Sequence, residues 1–155
     1  MRYYTHLSTA CAAALAVDHY TAFSFTETAP AFTAAGLMLG AVFPDIDETT
    51  SWIGRRSRGL AFWVKLLFGH RGLTHSGIAA LVAVLVLLRF DHAFIEAFCF
   101  GFVAHLTGDL FSRSGIPLFY PLTRKRTSLP VYRTGSWVEM LLFIASLVYI
   151  AYFLF

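Results

Sequence analysis

Charged residues are scarce in this sequence, and their scarcity argues against an ordinary soluble domain. Only 14% of the 155 residues are Asp, Glu, Lys or Arg, whereas 57% are hydrophobic. Soluble globular domains carry about 25% charged residues. The composition therefore predicts a membrane protein. The length fits one domain, residues 1–155, with about five spanning helices of roughly 20 residues each.

Cysteine is also rare, which removes thiol chemistry from consideration. Cys11 and Cys99 lie far apart in small-residue or apolar runs, and they form neither a CxxC motif nor a disulfide framework. We expect both to be buried, reduced thiols. A metal site in this chain would consequently use nitrogen and oxygen ligands rather than thiolates.

Long apolar runs are what the sequence has in abundance. Five of them are predicted as membrane spans, and they cover residues 5–25, 29–43, 74–90, 93–111 and 137–155. A shorter segment, LAFWVKLLF at 60–68, follows three arginines. Basic residues beside a short aromatic-rich segment are typical of a helix that lies in the membrane interface. The predicted fold class is all-α, a polytopic membrane helix bundle with a short interfacial helix.

The basic residues predict the orientation of the bundle. Eleven of the twelve Lys and Arg residues lie in the N-terminus or in the two long connections, 44–73 and 112–136, and Arg89 is the exception. Cytoplasmic loops are enriched in Lys and Arg. We therefore expect a protein of the cytoplasmic membrane with its N-terminus inside, on the cytoplasmic side, and its C-terminus outside, on the opposite side. This distribution argues against nucleic-acid binding. The run Arg124–Arg126 is expected to be a positive-inside signal with affinity for anionic lipid.

This topology brings polar side chains from four segments to the cytoplasmic face. Alternate spans run in opposite directions, so the start of the first, the end of the second, the entrance to the third and the end of the fourth lie at one depth. The residues concerned are His6, Asp45, Asp47, His70, His75, His105 and Asp109. Asp45 and Asp47 alone are explained as solvation of a helix end, and a single interfacial histidine as an amphipathic anchor. The coincidence of all seven residues at one face predicts a shared site.

Local spacing supports the convergence. His105 and Asp109 are four residues apart and therefore project from one face of a helix. Two polar groups on an otherwise apolar span cost free energy unless they are partnered. Asp45 and Asp47 would point the same way if the PDID segment is extended.

The two histidines of FGHRGLTHSG require a bend between them. His70 and His75 converge only if His70 lies in the loop and His75 in the first helical turn. Gly72 gives the loop that freedom, and Thr74 is predicted as the N-cap of the following helix. Ser76 is expected to help the helix start rather than to act as a nucleophile.

The chemistry of these residues indicates a divalent metal. Imidazole nitrogens combined with carboxylate oxygens, without thiolates, suit Zn²⁺, Mn²⁺ or Fe, and six or so ligands suit two ions. We expect Zn or Mn, with one or two ions bound.

Four ordered motifs carry a family resemblance. YTHLS at 4–8, GAVFPDIDETTS at 40–51, GHRGLTHS at 69–76 and HLTGDLFSRSGIPLFYPL at 105–122 together resemble the YdjM-like family of bacterial inner-membrane proteins. That family is described as metal-dependent hydrolases and is linked by name to LexA, the repressor of the SOS response. The resemblance covers nearly the whole chain. It implies a multi-helix membrane protein with a metal site at the seven His and Asp positions above.

The leading hypothesis is a metal-dependent hydrolase at the cytoplasmic membrane surface. Metal-bound water is a nucleophile near neutral pH. One of Asp45, Asp47 or Asp109 would act as base or bridge two ions, and Arg71 would clamp phosphate or stabilise developing negative charge. The depth of the site favours a phospholipid or lipid-linked phosphoester, or another ester or amide of a lipid.

Two alternatives remain open at this point. A non-catalytic metal-binding membrane protein, a divalent-ion transporter or sensor, would use the same ligands. A transporter places its ionisable residues near the bilayer midplane, whereas here they are predicted at one face. The second alternative is a structural membrane protein whose polar residues cap helices.

Overall fold

The fold is all-α, as the sequence predicts. A computed structural model describes residues 1–21, 30–69 and 71–155, and in these ranges the chain forms six α-helices and no β-strand. The helices are α1 Tyr3–Tyr20, α2 Pro30–Val42, α3 Leu60–Phe68, α4 Gly77–Arg89, α5 Ala93–Phe111 and α6 Trp137–Leu154.

Helix α5 is the centre of the bundle, and α1, α2 and α4 pack against it. Its closest neighbour is α2, because glycines remove the side chains between the two backbones. A Cβ atom at Gly40 would collide with the backbone of Phe98, and one at Gly101 would collide with the backbone of α2. Small residues at such positions let membrane helices approach each other closely.

Helix α6 is joined to the bundle through α1. The hydroxyl of Ser146 donates a hydrogen bond to Ser8 at 2.8 Å. The buried carboxylate of Glu139 accepts hydrogen bonds from the backbone N–H groups of Arg2 and Gly135, both at 2.5 Å. These contacts fix the first turn of α1 against the first turn of α6.

The number of spans is not confirmed at five. Among the described residues, two helices are long and apolar enough to cross a membrane, α5 and α6. Helix α4 is apolar but has 13 residues, and α2 also has 13, which gives a length of roughly 20 Å against a hydrocarbon core of about 30 Å. Residues 22–25 and 29 of the first two predicted spans lie outside the described residues.

The short helix predicted at residues 60–68 is present as α3. Leu60, Trp63 and Leu67 are more than half exposed on it, while Ala61 packs inward. Lys65 forms an ion pair with Glu48, with 3.1 Å between Nζ and Oε1. An exposed apolar face beside a basic residue agrees with a helix in the interface, and its placement there stays a prediction.

Two local predictions about the connections are wrong. The segment that contains Asp45 and Asp47 is a 3₁₀ turn, Phe43–Asp47, rather than an extended strand. Helix α4 is capped by Ser76, whose hydroxyl accepts from the Ala79 N–H at 3.1 Å, and not by Thr74. The expectation that Ser76 helps the helix start is confirmed.

Candidate metal centre

Five side chains converge at one end of the bundle. His6 comes from the start of α1, Asp45 from the turn after α2, His75 from the turn before α4, and His105 and Asp109 from the last turns of α5. Four of them are fully buried, and the side chain of Asp45 is 23% exposed. The predicted convergence of these five residues is therefore present in the structure.

The spacing of their polar atoms is that of ligands around a common ion. Asp45 Oδ1 lies 3.7 Å from the Nε2 atoms of both His75 and His105. Asp109 Oδ2 lies 3.8 Å and 4.0 Å from the same two nitrogens. These distances are too long for hydrogen bonds. Ligands that each lie about 2 Å from one ion stand roughly 3 to 4 Å from one another.

Two ligand groups can be distinguished, and they share one residue. His6, His105 and Asp109 form one group, and Asp45, His75 and His105 form the other, with the ligand atoms of each group within 4.8 Å of one another. His105 therefore stands at the middle of the cluster.

Two of the histidines are oriented by hydrogen bonds on their outer nitrogens. His105 Nδ1 lies 2.7 Å from the backbone carbonyl oxygen of Ala41, and His75 Nδ1 lies 3.0 Å from Asp47 Oδ2. Each contact leaves Nε2 facing the centre. Metal-binding histidines in proteins are held in the same way by a carbonyl or carboxylate behind them.

Asp47 lies behind His75 and does not face the centre. The same Oδ2 atom accepts the backbone N–H of Arg71 at 2.9 Å and the hydroxyl of Thr74. Residues two apart in a turn of three residues per turn point about 120° apart, so Asp45 and Asp47 diverge. An extended segment would have directed both into the site, as the sequence predicts.

His6 is held by stacking. Its ring lies parallel to that of His105, with the centroids 3.6 Å apart and an interplanar angle of 7°. His6 Nε2 is 3.5 Å from Asp109 Oδ1, and the amino group of Met1 is 2.9 Å from the same oxygen. A Cβ at Gly108 would lie 3.5 Å from His6 Nδ1, an ordinary van der Waals contact, so the stack does not itself require glycine there.

Arg71 connects the centre to the loop that follows α5. Its Nη2 lies 3.0 Å from Asp109 Oδ2, in an ion pair that lacks hydrogen-bond geometry, and its Nη1 donates to the Gly115 carbonyl at 3.2 Å. Its backbone adopts φ +53°, in the left-handed region that costs a non-glycine residue free energy. The predicted proximity of Arg71 to the site is thus present, with its guanidinium already paired to a site carboxylate.

The donor set fits a cation. In the parts of the chain that the structure describes, the Nε2 atoms of His6, His75 and His105 are buried without a hydrogen-bond partner. A buried polar atom left unsatisfied costs about 1–3 kcal/mol. Three such nitrogens beside two carboxylates form a donor set suited to Zn²⁺, Mn²⁺ or Fe.

The pKa shifts of Asp45 and His75, which lie in the turns beside α2 and α4, also favour a cation at the centre. Burial of Asp45 opposes its ionisation, but the neighbouring imidazoles, His75 foremost, outweigh that effect and lower its pKa to about 2. Burial also opposes the protonation of His75, yet Asp45 and Asp47 outweigh it and raise the pKa of His75 to about 9. The carboxylates thus stabilise positive charge at the centre, and a bound metal would replace the proton of His75.

A cavity of about 450 Å³ opens onto the cluster at Asp45. The rings of Tyr3 and Trp52, which stack with centroids 5.7 Å apart, line it together with Arg55. Asp45 is therefore the ligand that a molecule entering from this side would reach first.

The remaining predicted ligand is His70, which lies outside the described residues. Two contributors were not predicted. The Ala41 carbonyl is a backbone group that no residue pattern marks. Tyr132 is buried and donates its hydroxyl to the Gly108 carbonyl at 2.6 Å. Burial and the nearby carboxylates of Asp109 and Glu139 raise the pKa of Tyr132, so it keeps this proton.

Comparisons with known proteins place the chain in a family. All of it, residues 1–155, matches the family described as YdjM inner membrane protein. YvsG of Bacillus subtilis (strain 168) is 34% identical over 140 residues, which cover 88% of this chain and 84% of YvsG. Inner membrane protein YdjM of Escherichia coli (strain K12) is 32% identical over 121 residues, which cover 72% of this chain and 61% of that protein. No solved structure matches the chain. The chain belongs to the YdjM inner membrane protein family.

Proposed function

We propose that the protein is a membrane-bound, metal-dependent hydrolase. The observation that supports this most directly is the convergence of three buried imidazole nitrogens, each without a hydrogen-bond partner among the described residues, on two carboxylates. The proposed ligands are His6, Asp45, His75, His105 and Asp109. Asp47, expected from the sequence to be a ligand, is assigned instead to orienting His75. His70 stays a predicted ligand.

One ion fits the described residues better than two. The two ligand groups share His105, whose Nδ1 is occupied by the Ala41 carbonyl. Only its Nε2 is left to bind metal, and this nitrogen binds one ion. The expectation of one or two Zn or Mn ions therefore narrows to one, and its identity stays a prediction.

The residues around the ion have separable roles. A bound divalent ion lowers the pKa of its water and polarises the bond to be cleaved. Asp45 borders the open cavity and is placed to orient an attacking water by accepting a hydrogen bond from it. Arg71, next to Asp109, is placed to stabilise the negative charge that develops on a phosphoryl oxygen.

A lipid substrate is favoured by the surroundings of the site. The centre lies at the end of α5, a helix long and apolar enough to span a membrane. An apolar groove of about 580 Å³, lined by residues such as Phe100, Val103 and Leu142, runs to Gly108 beside Asp109. An acyl chain in this groove would bring its headgroup to the metal, so we propose a lipid phosphoester, with other lipid esters or amides as the broader class.

The membrane orientation is proposed from the basic residues. Arg55, Arg71 and the Arg124–Arg126 run belong to the connections at the metal-centre end, and this end would face the cytoplasm. The link to LexA and the SOS response that the family resemblance implies stays a prediction.

A non-catalytic metal-binding protein is the second candidate. The observation that favours it is the near-complete burial of the cluster, in which Asp45 alone is partly exposed. Closed sites with a full set of protein ligands are typical of structural metals. Tight metal binding without turnover would identify this alternative.

Elemental analysis of the purified protein tests the proposal. We expect about one equivalent of a transition metal in the wild type and its loss in His75→Ala and Asp45→Asn. His19→Ala is the matched control, because His19 is exposed on α1 away from the cluster, and it should keep the metal. A metal-free wild type would refute the metal centre. If metal is present, a screen of lipid phosphoesters with the same variants separates a hydrolase from a binding protein.

A further inference from the structure

Three arginines line a small cavity beside the metal centre. The cavity has a volume of about 190 Å³, and its lining includes Arg71, Arg124 and Arg126 with Tyr120 and Gly72. No carboxylate is among its described lining residues. Guanidinium and phenol groups donate hydrogen bonds in fixed directions, and guanidinium groups suit the oxygens of phosphate. The cavity is therefore lined chiefly with donors for an anion.

The positive charge of the cavity is only partly matched within the protein. Arg71 is paired with Asp109 at 3.0 Å. Within the described part of the chain, no carboxylate forms an ion pair with Arg124 or Arg126. Guanidinium groups that face one cavity repel one another unless an anion neutralises them.

The loop that carries Arg124 and Arg126 is tied to Arg71 through the backbone. Thr127, next to Arg126, exchanges backbone hydrogen bonds with Ile116 at 3.0 Å and 2.8 Å. Gly115, which precedes Ile116, has φ +62° and no room for a Cβ against Thr127. Its carbonyl accepts the hydrogen bond from Arg71 Nη1. The loop that carries Arg124 and Arg126 and the side chain of Arg71 are thus joined by one continuous set of hydrogen bonds.

We propose that Arg71, Tyr120, Arg124 and Arg126 form a binding site for a second phosphate group of the substrate. Arg71 touches Asp109 of the metal centre and also lines the cavity. A phosphate group held in the cavity would therefore lie next to the phosphoryl group that reacts at the metal. This inference rests on the proposed function and narrows its substrate to the diphosphate class, in which one phosphoryl group reaches the metal and the other is held by arginines.

Binding of inorganic pyrophosphate to the purified full-length protein tests this site. Isothermal titration would compare the wild type with Arg124→Gln/Arg126→Gln and with Lys125→Gln/Arg133→Gln. Both double variants remove two positive charges, but Lys125 and Arg133 do not line the cavity. Loss of one hydrogen bond to a charged group weakens binding by about tenfold or more, so the first double variant should bind pyrophosphate at least about tenfold more weakly. The control should change by less than about threefold.

A second arm distinguishes a lipid from a free anion. The titration is repeated in phosphatidylcholine nanodiscs with and without diacylglycerol pyrophosphate. Weaker pyrophosphate binding by the wild type in the presence of that lipid assigns the site to a lipid headgroup. Unchanged binding assigns it to a free diphosphate.

The failure of this inference and the failure of the proposed function give different results. Equal weakening in both double variants, or no pyrophosphate binding by the wild type, overturns the anion site while the metal content of the same samples is unaffected. A metal-free protein that still binds pyrophosphate through Arg124 and Arg126 overturns the hydrolase and leaves the anion site standing.

Discussion

At the scale of single residues, His105 carries the most connections in the candidate centre. Its Nδ1 is held by the Ala41 carbonyl, its ring stacks on His6, and its Nε2 is shared by both ligand groups. The residues around it divide into those whose polar atoms face the centre and those that orient them. Asp47 is the clearest member of the second kind, because it contacts His75 from behind.

Asp47→Asn should weaken metal binding without abolishing it. The amide keeps the size of the carboxylate but removes its charge from His75 Nδ1, and changes to such outer partners typically cost about 10–100-fold in metal affinity. Competition with a chromophoric chelator measures the affinity. The control is Glu48→Gln. It removes the neighbouring carboxylate, which pairs with Lys65 of α3, and it should bind the metal as tightly as the wild type does. Complete loss of metal in Asp47→Asn would instead identify Asp47 as a ligand.

Arg71→Lys should lower turnover while metal remains bound. Lysine keeps the charge but cannot contact Asp109 and the Gly115 carbonyl together, as the guanidinium does. Loss of one group that stabilises developing charge costs about 10²–10³ in kcat. The measurement is kcat on a lipid phosphoester alongside metal content. Unchanged kcat with full metal loading would exclude Arg71 from the chemistry.

At the scale of elements, the contact between α2 and α5 determines the site. The Ala41 carbonyl that orients His105 belongs to α2, and His105 belongs to α5. Glycines at 36, 40 and 101 set the distance between the two helices. The packing distance between α2 and α5 therefore also sets the orientation of the His105 ring.

Gly40→Ala should lower stability and metal affinity together. The added methyl would collide with the backbone of Phe98, and overpacking of this kind costs about 1–3 kcal/mol. It would also displace Ala41 from His105. Thermal unfolding and chelator competition measure the two effects. Ala35→Leu adds more atoms on an exposed position of the same helix and should leave both quantities nearly unchanged; an equal loss in that variant would contradict the packing explanation.

At the scale of the whole molecule, the five candidate ligands lie at one end of the bundle, which agrees with the convergence predicted from the alternating direction of the spans. Within residues 1–21, 30–69 and 71–155 the structure identifies two helices long and apolar enough to span a membrane, whereas the sequence predicts five spans. The orientation and the number of crossings are decided by where the connections between helices lie relative to the membrane.

Cysteine labelling tests the predicted topology. In a Cys11→Ala/Cys99→Ala background, single cysteines are placed by Lys125→Cys in the loop before α6, Asp91→Cys in the turn before α5, and Phe155→Cys at the end of α6. Five crossings with the N-terminus inside predict that an impermeant maleimide labels positions 91 and 155 in intact spheroplasts and position 125 only after permeabilisation. Labelling of 125 and 155 from the same side would contradict a crossing by α6.

Much of the site could be predicted because helical periodicity and alternating helix direction are properties of sequence. His105 and Asp109 lie on one face of α5, as their spacing requires. The failures concern conformations that spacing does not determine. Asp45 and Asp47 diverge because their segment forms a 3₁₀ turn, and a left-handed φ falls on Arg71, where the sequence predicts a flexible Gly72. The Ala41 carbonyl depends on tertiary packing, which no local pattern reports.

If the candidate centre binds the proposed metal, the hydrogen bond from His105 to Ala41 links metal supply to the survival of the folded protein. A metal that binds only the assembled bundle stabilises it by about 2.7 kcal/mol when its free concentration is a hundredfold above Kd. Metal starvation would then loosen the joint between α2 and α5 and expose the chain to membrane proteases. Cells deprived of the ion would then lose the protein itself, and restoring the ion would restore the protein only as fast as new chains are made.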